Sequence, residues 1–163
     1  MKLLRSELKS EFKKMLFDMS ARELPDRGTI FHDDHITCEL SAKIVQFGFQ
    51  LSGVINTIAS YQCVRCLCYN PKELALPIKL LLSSKEILTV DDYQDIVHFP
   101  KNIDHIDMSD TISDIIYLAE PMNPNCNNNC KGLCPNCGIN LSQSSCDCKL
   151  DSHDSPWDVL NNF

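Results

Sequence analysis

Cys126-Asn-Asn-Asn-Cys130-Lys-Gly-Leu-Cys134-Pro-Asn-Cys137-Gly138, followed by Cys146-Asp-Cys148, holds six of the ten cysteines of this 163-residue chain. Intervals this short bring sulfurs close enough to share an ion, so the stretch reads first as a metal site. Cys134-Pro-Asn-Cys137-Gly138 has the form of a zinc knuckle. Two intervening residues let both sulfurs face one ion, and turn N–H groups donate to the thiolates. Gly138 suits the left-handed position after the second ligand, and Pro135 stiffens the turn. Cys146 and Cys148 supply the opposing pair, giving a four-thiolate site of Cys134, Cys137, Cys146 and Cys148. The plainer reading of these cysteines is unligated thiols.

Cys126 and Cys130 are then spare. Upstream, Cys63-Val-Arg65-Cys66 offers a second pair with knuckle spacing, so Cys63, Cys66, Cys126 and Cys130 form a second candidate site. It would bridge two parts of the chain. The competing reading is that Cys63 and Cys66 are small apolar core residues. Cys38 and Cys68 read as buried thiols, with Cys68 as a fallback ligand. Cys130-x3-Cys134-x2-Cys137 also matches the three-cysteine spacing of a four-iron cluster in radical S-adenosylmethionine enzymes. Those enzymes need a large partial barrel after the motif, and the chain here ends at Phe163. Zinc, as one or two ions, is the expected cofactor.

Upstream of the cluster, residues 109–120 read as a helix. Asp107 or Ser109 is the cap, Ile112, Ile115, Ile116 and Ala119 form one apolar stripe, and Pro121 is the stop. Residues 29–82 read as three or four antiparallel strands with one solvated face: Ile36, Cys38 and Leu40 alternate with polar neighbours, as do Phe47, Phe49 and Leu51. Ser52-Gly53 marks a bulge or bend. Residues 83–108 are acidic and irregular, with a short strand at 96–99. Leu4, Leu8, Phe12 and Leu16 recur every four residues and predict an N-terminal helix. The expected fold is α+β: a curved antiparallel sheet with flanking helices over 1–120, and a cysteine-rich zinc-binding segment over 121–163 packed on it. That segment holds nine asparagines and few apolar residues, so metal or contact must pin it. Trp157, Val159 and Leu160 carry enough apolar area to dock back or hold a partner.

The net charge of −7 disfavours a broad phosphate-binding surface. Residues 1–16 interleave charge with apolar positions rather than forming a signal peptide, and no apolar run is long enough to span a membrane. Without export, ten cysteines favour thiolate ligands in a reducing compartment over disulfides. His32-Asp-Asp-His35 and Ser152-His-Asp-Ser155 read as polar turns rather than a metal site and a triad.

Leu118-Ala-Glu-Pro121-Met-Asn-Pro124-Asn-Cys126, the run Cys130 to Leu141, Cys146-Asp-Cys148 and the upstream Cys63-x-Arg65-Cys66-Leu67 together resemble the YceD-like proteins. These are the bacterial and plastid large-subunit ribosomal RNA accumulation proteins, and the resemblance covers about residues 36–150. It implies a non-enzymatic role in 23S ribosomal RNA accumulation and large-subunit biogenesis, in the cytoplasm or a plastid. The acidic charge suggests action through a ribosomal protein or an assembly intermediate, with direct RNA binding secondary and restricted to a local patch. Two other readings remain: a thiol redox or metal-handling protein using Cys63 and Cys66, and a generic zinc-ribbon interaction module.

Overall fold

The computed structural model describes residues 1–84 and 95–148. Trp157, Val159, Leu160, the turn at 152–155 and the acidic residues Asp91 and Asp92 lie outside the described residues. The chain runs β1 (Lys2–Leu4), α1 (Arg5–Lys9), β2 (Met15–Ser20), β3 (Ile30–Phe31), β4 (His35–Val45), β5 (Gly48–Gln62), β6 (Tyr69–Ser83), β7 (Asp95–His98), β8 (His105–Asp107) and α2 (Ser109–Leu118). The main sheet has the order β2-β4-β5-β6-β7, with β3 added beside β5 where β4 has ended. The pair β1–β8 forms a separate small sheet.

The fold rests on three long strands. Along β4, Ile36, Cys38, Leu40 and Ala42 are buried and their neighbours are not. Along β5 the buried positions are Phe49, Leu51, Ile55, Thr57, Ala59 and Tyr61, all of one parity. Gly53 has that parity too, so the alternation passes through it unbroken and the expected bulge is absent. The register confirms this: Leu40 faces Gly53 and Ser41 faces Ser52 in continuous antiparallel pairing. The reason for glycine is close approach. A Cβ on Gly53 would stand 1.9 Å from the Glu39 carbonyl oxygen. Phe47 is not a strand residue; with Gln46 it forms the two-residue turn between β4 and β5. Pro71 and Pro77 fall where β6 has only β5 beside it, so their missing N–H groups cost no ladder bond.

Three further expectations are corrected. Residues 1–16 are not one helix: α1 has five residues, and β1 and β2 flank it. Leu3, Leu8 and Phe12 are buried, whereas Leu4 and Leu16 are exposed. Glu11 and Lys14 take left-handed backbone angles that end helical geometry, and β2 then gains a full ladder on β4. The short strand near 96–99 exists as β7, but it pairs parallel to β6, so the sheet is mixed rather than antiparallel throughout. Asp104 and Asp107, placed in an irregular acidic stretch, lie at and within β8.

The apolar stripe of α2 agrees with its reading, but the N-cap is Met108, which makes no side-chain cap bond, rather than Asp107 or Ser109. Ile112 and Ile116 are buried against the sheet core, and Ile115 is packed beside them. Asp107 Oδ1 accepts from the backbone N–H and the hydroxyl of Ser109, at 3.0 and 2.7 Å. These bonds hold its carboxyl at about 2, well below the usual range. Arg27 fixes the outer face through Asp114 at 2.7 Å and Asp110 at 3.1 Å. Placed this way, α2 delivers the chain at Pro121 to the far end of the β5–β6 hairpin.

Candidate metal centre

The turn between β5 and β6 and the segment after α2 meet over the cysteines. Two groups of four form: Cys63, Cys66, Cys126 and Cys130, and Cys134, Cys137, Cys146 and Cys148. Within each group all sulfurs lie within 4.8 Å of one another, and none of the ten cysteines is in a disulfide. A tetrahedral ion with metal–sulfur bonds of about 2.3 Å requires sulfur–sulfur edges of about 3.8 Å. The Cys63–Cys130 edge is 3.9 Å and the Cys66–Cys126 edge 3.7 Å. The residues fit such an ion. Cys130 and Cys134, adjacent in the iron–sulfur spacing, fall into different groups.

Each group is built on a knuckle of one design. In the first, Leu67 N–H donates to the Cys63 carbonyl at 2.9 Å; in the second, Gly138 N–H donates to the Cys134 carbonyl at 2.9 Å. The residue after the second cysteine is left-handed in both, with φ +72° at Gly138 and +58° at Leu67. Glycine accepts that conformation freely, whereas leucine is strained there.

Backbone N–H groups converge on the first sulfur of each knuckle. Those of Cys66, Cys126 and Arg65 draw Cys63 down to about 6, and those of Cys137 and Asn136 draw Cys134 down to about 6. The partners move the other way. Cys66 receives the Cys68 N–H, yet burial and the thiols of Cys63, Cys126 and Cys130 push it up to about 12. Cys148 is pushed up to about 12 by the Cys137 thiol, burial and Cys146. In the inner group Cys130 is lowered along with Cys63 while Cys66 and Cys126 are raised, so four close sulfurs release the early protons readily and resist releasing the last. A bound dication supplies the charge that lets all four ionise.

The two groups differ in setting. Cys63, Cys66 and Cys130 are buried and Cys126 is half-buried; in the outer group Cys137 and Cys148 are exposed. The inner group joins chain segments about sixty residues apart and is reinforced from both sides. Val64 N–H donates to the Pro124 carbonyl at 2.9 Å, Leu133 N–H to the Arg65 carbonyl at 3.1 Å, and Arg65 Nη1 to the Cys130 carbonyl at 3.0 Å.

Sequence reasoning named the eight cysteines but missed this use of Arg65. It also missed Ser142, whose hydroxyl donates to Cys130 Sγ at 3.8 Å, and Asn140, whose Nδ2 donates to Cys68 Sγ at 3.5 Å. The available signal was Asn140-Leu-Ser142, an Asx turn in which Ser142 N–H meets Asn140 Oδ1 at 3.0 Å. Cys68, the fallback ligand, stays outside both groups and donates to the Cys66 carbonyl. Cys38 is fully buried in the sheet core, and burial pushes its thiol up to about 11. His32, Asp33 and Asp34 form a bend that leads into β4, whose first residue is His35: Asp33 accepts from His35 N–H, and Asp34 accepts from Ser20 and pairs with Arg22. Among the described residues, no helix is long and apolar enough to cross a membrane.

Comparison with known proteins places these features. Two plant proteins, each called large ribosomal RNA subunit accumulation protein YCED homolog 1, chloroplastic, are similar. The one from Arabidopsis thaliana is 26% identical over 140 residues, covering 70% of this chain, and that from Zea mays 32% over 128 residues, covering 61%. In each case the aligned part is 44% of the relative, so this chain spans less than half of their length. No solved structure matches. The family model described as large ribosomal RNA subunit accumulation protein YceD matches residues 51–163, a span that opens inside β5 and takes in all eight clustered cysteines. On that match the chain belongs to the YceD family of large ribosomal RNA subunit accumulation proteins.

Proposed function

We propose that this protein is a non-enzymatic, zinc-stabilised factor that supports accumulation of 23S ribosomal RNA and assembly of the large ribosomal subunit. The observation that carries the reading is the family match over residues 51–163, which coincides with the part of the chain organised by the two cysteine groups. Zinc is the ion of choice because four thiolates in a closed tetrahedron with no open position suit a structural d10 ion. Its role is to fold the segment after α2, which has little apolar area of its own. Loading both groups ionises eight thiols against two dications and takes the formal charge from −7 to about −11. A surface that acidic complements basic ribosomal proteins, which favours a protein partner within an assembly intermediate. The plant relatives are named as chloroplastic; a plastid or a bacterial cytoplasm is the setting we assign.

Burial argues against a working dithiol at Cys63 and Cys66, because thiol exchange needs an accessible thiolate. The decisive experiment is depletion of the protein, followed by the ratio of large- to small-subunit ribosomal RNA and the gradient profile of the subunits. The large-subunit RNA should fall selectively. An unchanged ratio refutes the proposal. Metal analysis should return two zinc ions per chain, and one ion together with reactive Cys63 and Cys66 would restore the redox reading.

A further inference from the structure

A cleft of about 400 Å³ lies beside the inner cysteine group. One wall is the end of the β5–β6 hairpin, with Tyr61, Asn70 and Lys72; the other is the strap 121–128 that leads into Cys126. Acidic side chains outnumber basic ones in the chain by 22 to 15, yet among the described residues no carboxylate is in the lining of this cleft, the nearby Glu120 acting on Tyr61 from just before the strap. Lys72 and five asparagines, at 70, 123, 125, 127 and 128, line it instead. The side-chain amides of Asn123, Asn127 and Asn128 make no hydrogen bond, and Lys72 no ion pair, among the described residues. Tyr61 is 6% exposed, and its hydroxyl is buried with no hydrogen-bond partner. Lys72, Asn123, Asn125, Asn127 and Asn128 are exposed, so their polar groups face the solvent of one concave site, with the enclosed Tyr61 hydroxyl behind them; a recess so lined points to a polar ligand.

We infer that this cleft binds one or two nucleotides of single-stranded RNA, an inference that rests on the ribosomal RNA role proposed above. A carboxamide presents a donor and an acceptor side by side, matching the paired groups on an unstacked base edge. Lys72 supplies the phosphate contact. The volume suits a nucleotide unit rather than a duplex, and the acidic surface elsewhere confines RNA to this place. An extended peptide could use the amides but would leave Lys72 without an anion. The cleft also depends on the inner cysteine group. The strap is held in place by the Val64–Pro124 hydrogen bond and by Cys126 against Cys66, so loss of metal there removes one wall.

The test uses the full zinc-loaded chain and a short fluorescein-labelled single-stranded RNA of mixed sequence, titrated by anisotropy at several salt concentrations. Lys72→Ala should weaken binding about fivefold and flatten the slope of log affinity against log salt by about 0.7. The double variant Asn127→Ala, Asn128→Ala should weaken binding about tenfold with the slope unchanged. Lys43→Ala, which lies opposite Gln50 near the other end of β5, should bind as the unaltered protein does. Zinc content and melting temperature are measured for each variant, so that lost binding is not mistaken for unfolding. No RNA binding by the unaltered chain, or equal binding by every variant, overturns the inference. So does a basic ribosomal-protein peptide that shifts the Tyr61 and Asn127 resonances when RNA does not. If RNA fails to bind while depletion still lowers large-subunit RNA, the cleft is refuted and the proposed function stands. If depletion leaves that RNA unchanged, the functional reading itself fails.

Discussion

Replacing Cys66 by Ser should detach the segment after α2 while leaving the sheet folded. Apparent binding free energies of structural zinc sites are about 10–16 kcal/mol at neutral pH. Shared over four ligands, one thiolate accounts for about 2.5–4 kcal/mol, or two to three orders of magnitude in zinc affinity. Little else holds the segment. Between residues 121 and 148 the buried positions are Cys130, Gly132 and Cys134, none of them a large apolar side chain. The hydrogen bonds Val64–Pro124, Leu133–Arg65 and Arg65–Cys130 add about 1 kcal/mol each. That sum is well below the entropy of ordering so many residues. The sheet keeps its own core of Ile36, Leu40, Leu51, Ile55, Leu80, Leu82, Ile112 and Ile116. Zinc per chain should therefore fall from two to one, and trypsin should cut after the exposed Lys131, while β-sheet circular dichroism is retained. Cys38→Ala, buried in the core away from both groups, is the control: it lowers the melting temperature but keeps both ions and the resistance at Lys131. Two zinc ions and an uncut Lys131 in Cys66→Ser would refute the bridging role of the inner group.

Gly53→Ala places a methyl 1.9 Å from the Glu39 carbonyl oxygen on the paired strand. It should cost about 3 kcal/mol in urea denaturation, with part of the β4–β5 ladder opened. Leu67→Asn relieves a left-handed leucine that is already half-exposed; a gain of a few tenths to about 1 kcal/mol is expected, and a loss would show that the side chain is held by packing. Arg5→Lys should lower the melting temperature by several degrees. The guanidinium lies 3.8 Å from the Phe99 ring centroid and donates to the carbonyls of Ile103 and Pro100, at 3.0 and 2.6 Å, an arrangement a single ammonium cannot reproduce. Asp107→Ala should cost about 1 kcal/mol at pH 7, a cap-sized effect for a half-exposed carboxylate. Because the folded-state value of Asp107 is depressed to about 2 from 3.8, its contribution is present above about pH 4 and is lost as pH falls toward 2. The stability gap between variant and parent should close over that window, and a gap that persists at pH 2 would contradict the assignment.

The short-range features of this protein were readable because their causes are local. A knuckle needs two cysteines with two residues between them and a left-handed residue after, and the spacing of Cys134, Cys137 and Gly138 states this directly. The stripe of Ile112, Ile115 and Ile116 followed by Pro121, and the alternation along β4 and β5, are likewise set by neighbours a few positions away. The curated relatives and the family match agree with the family that these motifs suggested. What remained closed depended on distant residues. Leu4, Leu8, Phe12 and Leu16 have a helical period, but pairing of β2 with β4 offered a full ladder that a short charged helix could not match. The parallel placement of β7 was invisible, since a strand reads the same in either direction. The function of Arg65 needed the fold to bring residues 124–133 against it.

The cysteine stretch shows the division most clearly. Its spacing determined which residues pair within a knuckle, because covalent geometry limits where neighbouring sulfurs can point. Only the tertiary structure decided that Cys126 and Cys130 meet Cys63 and Cys66, and that an amide-lined cleft opens beside them. Both depend on where α2 releases the chain at Pro121, and that is fixed by packing of Ile112 and Ile116 in a core assembled from residues far apart in sequence.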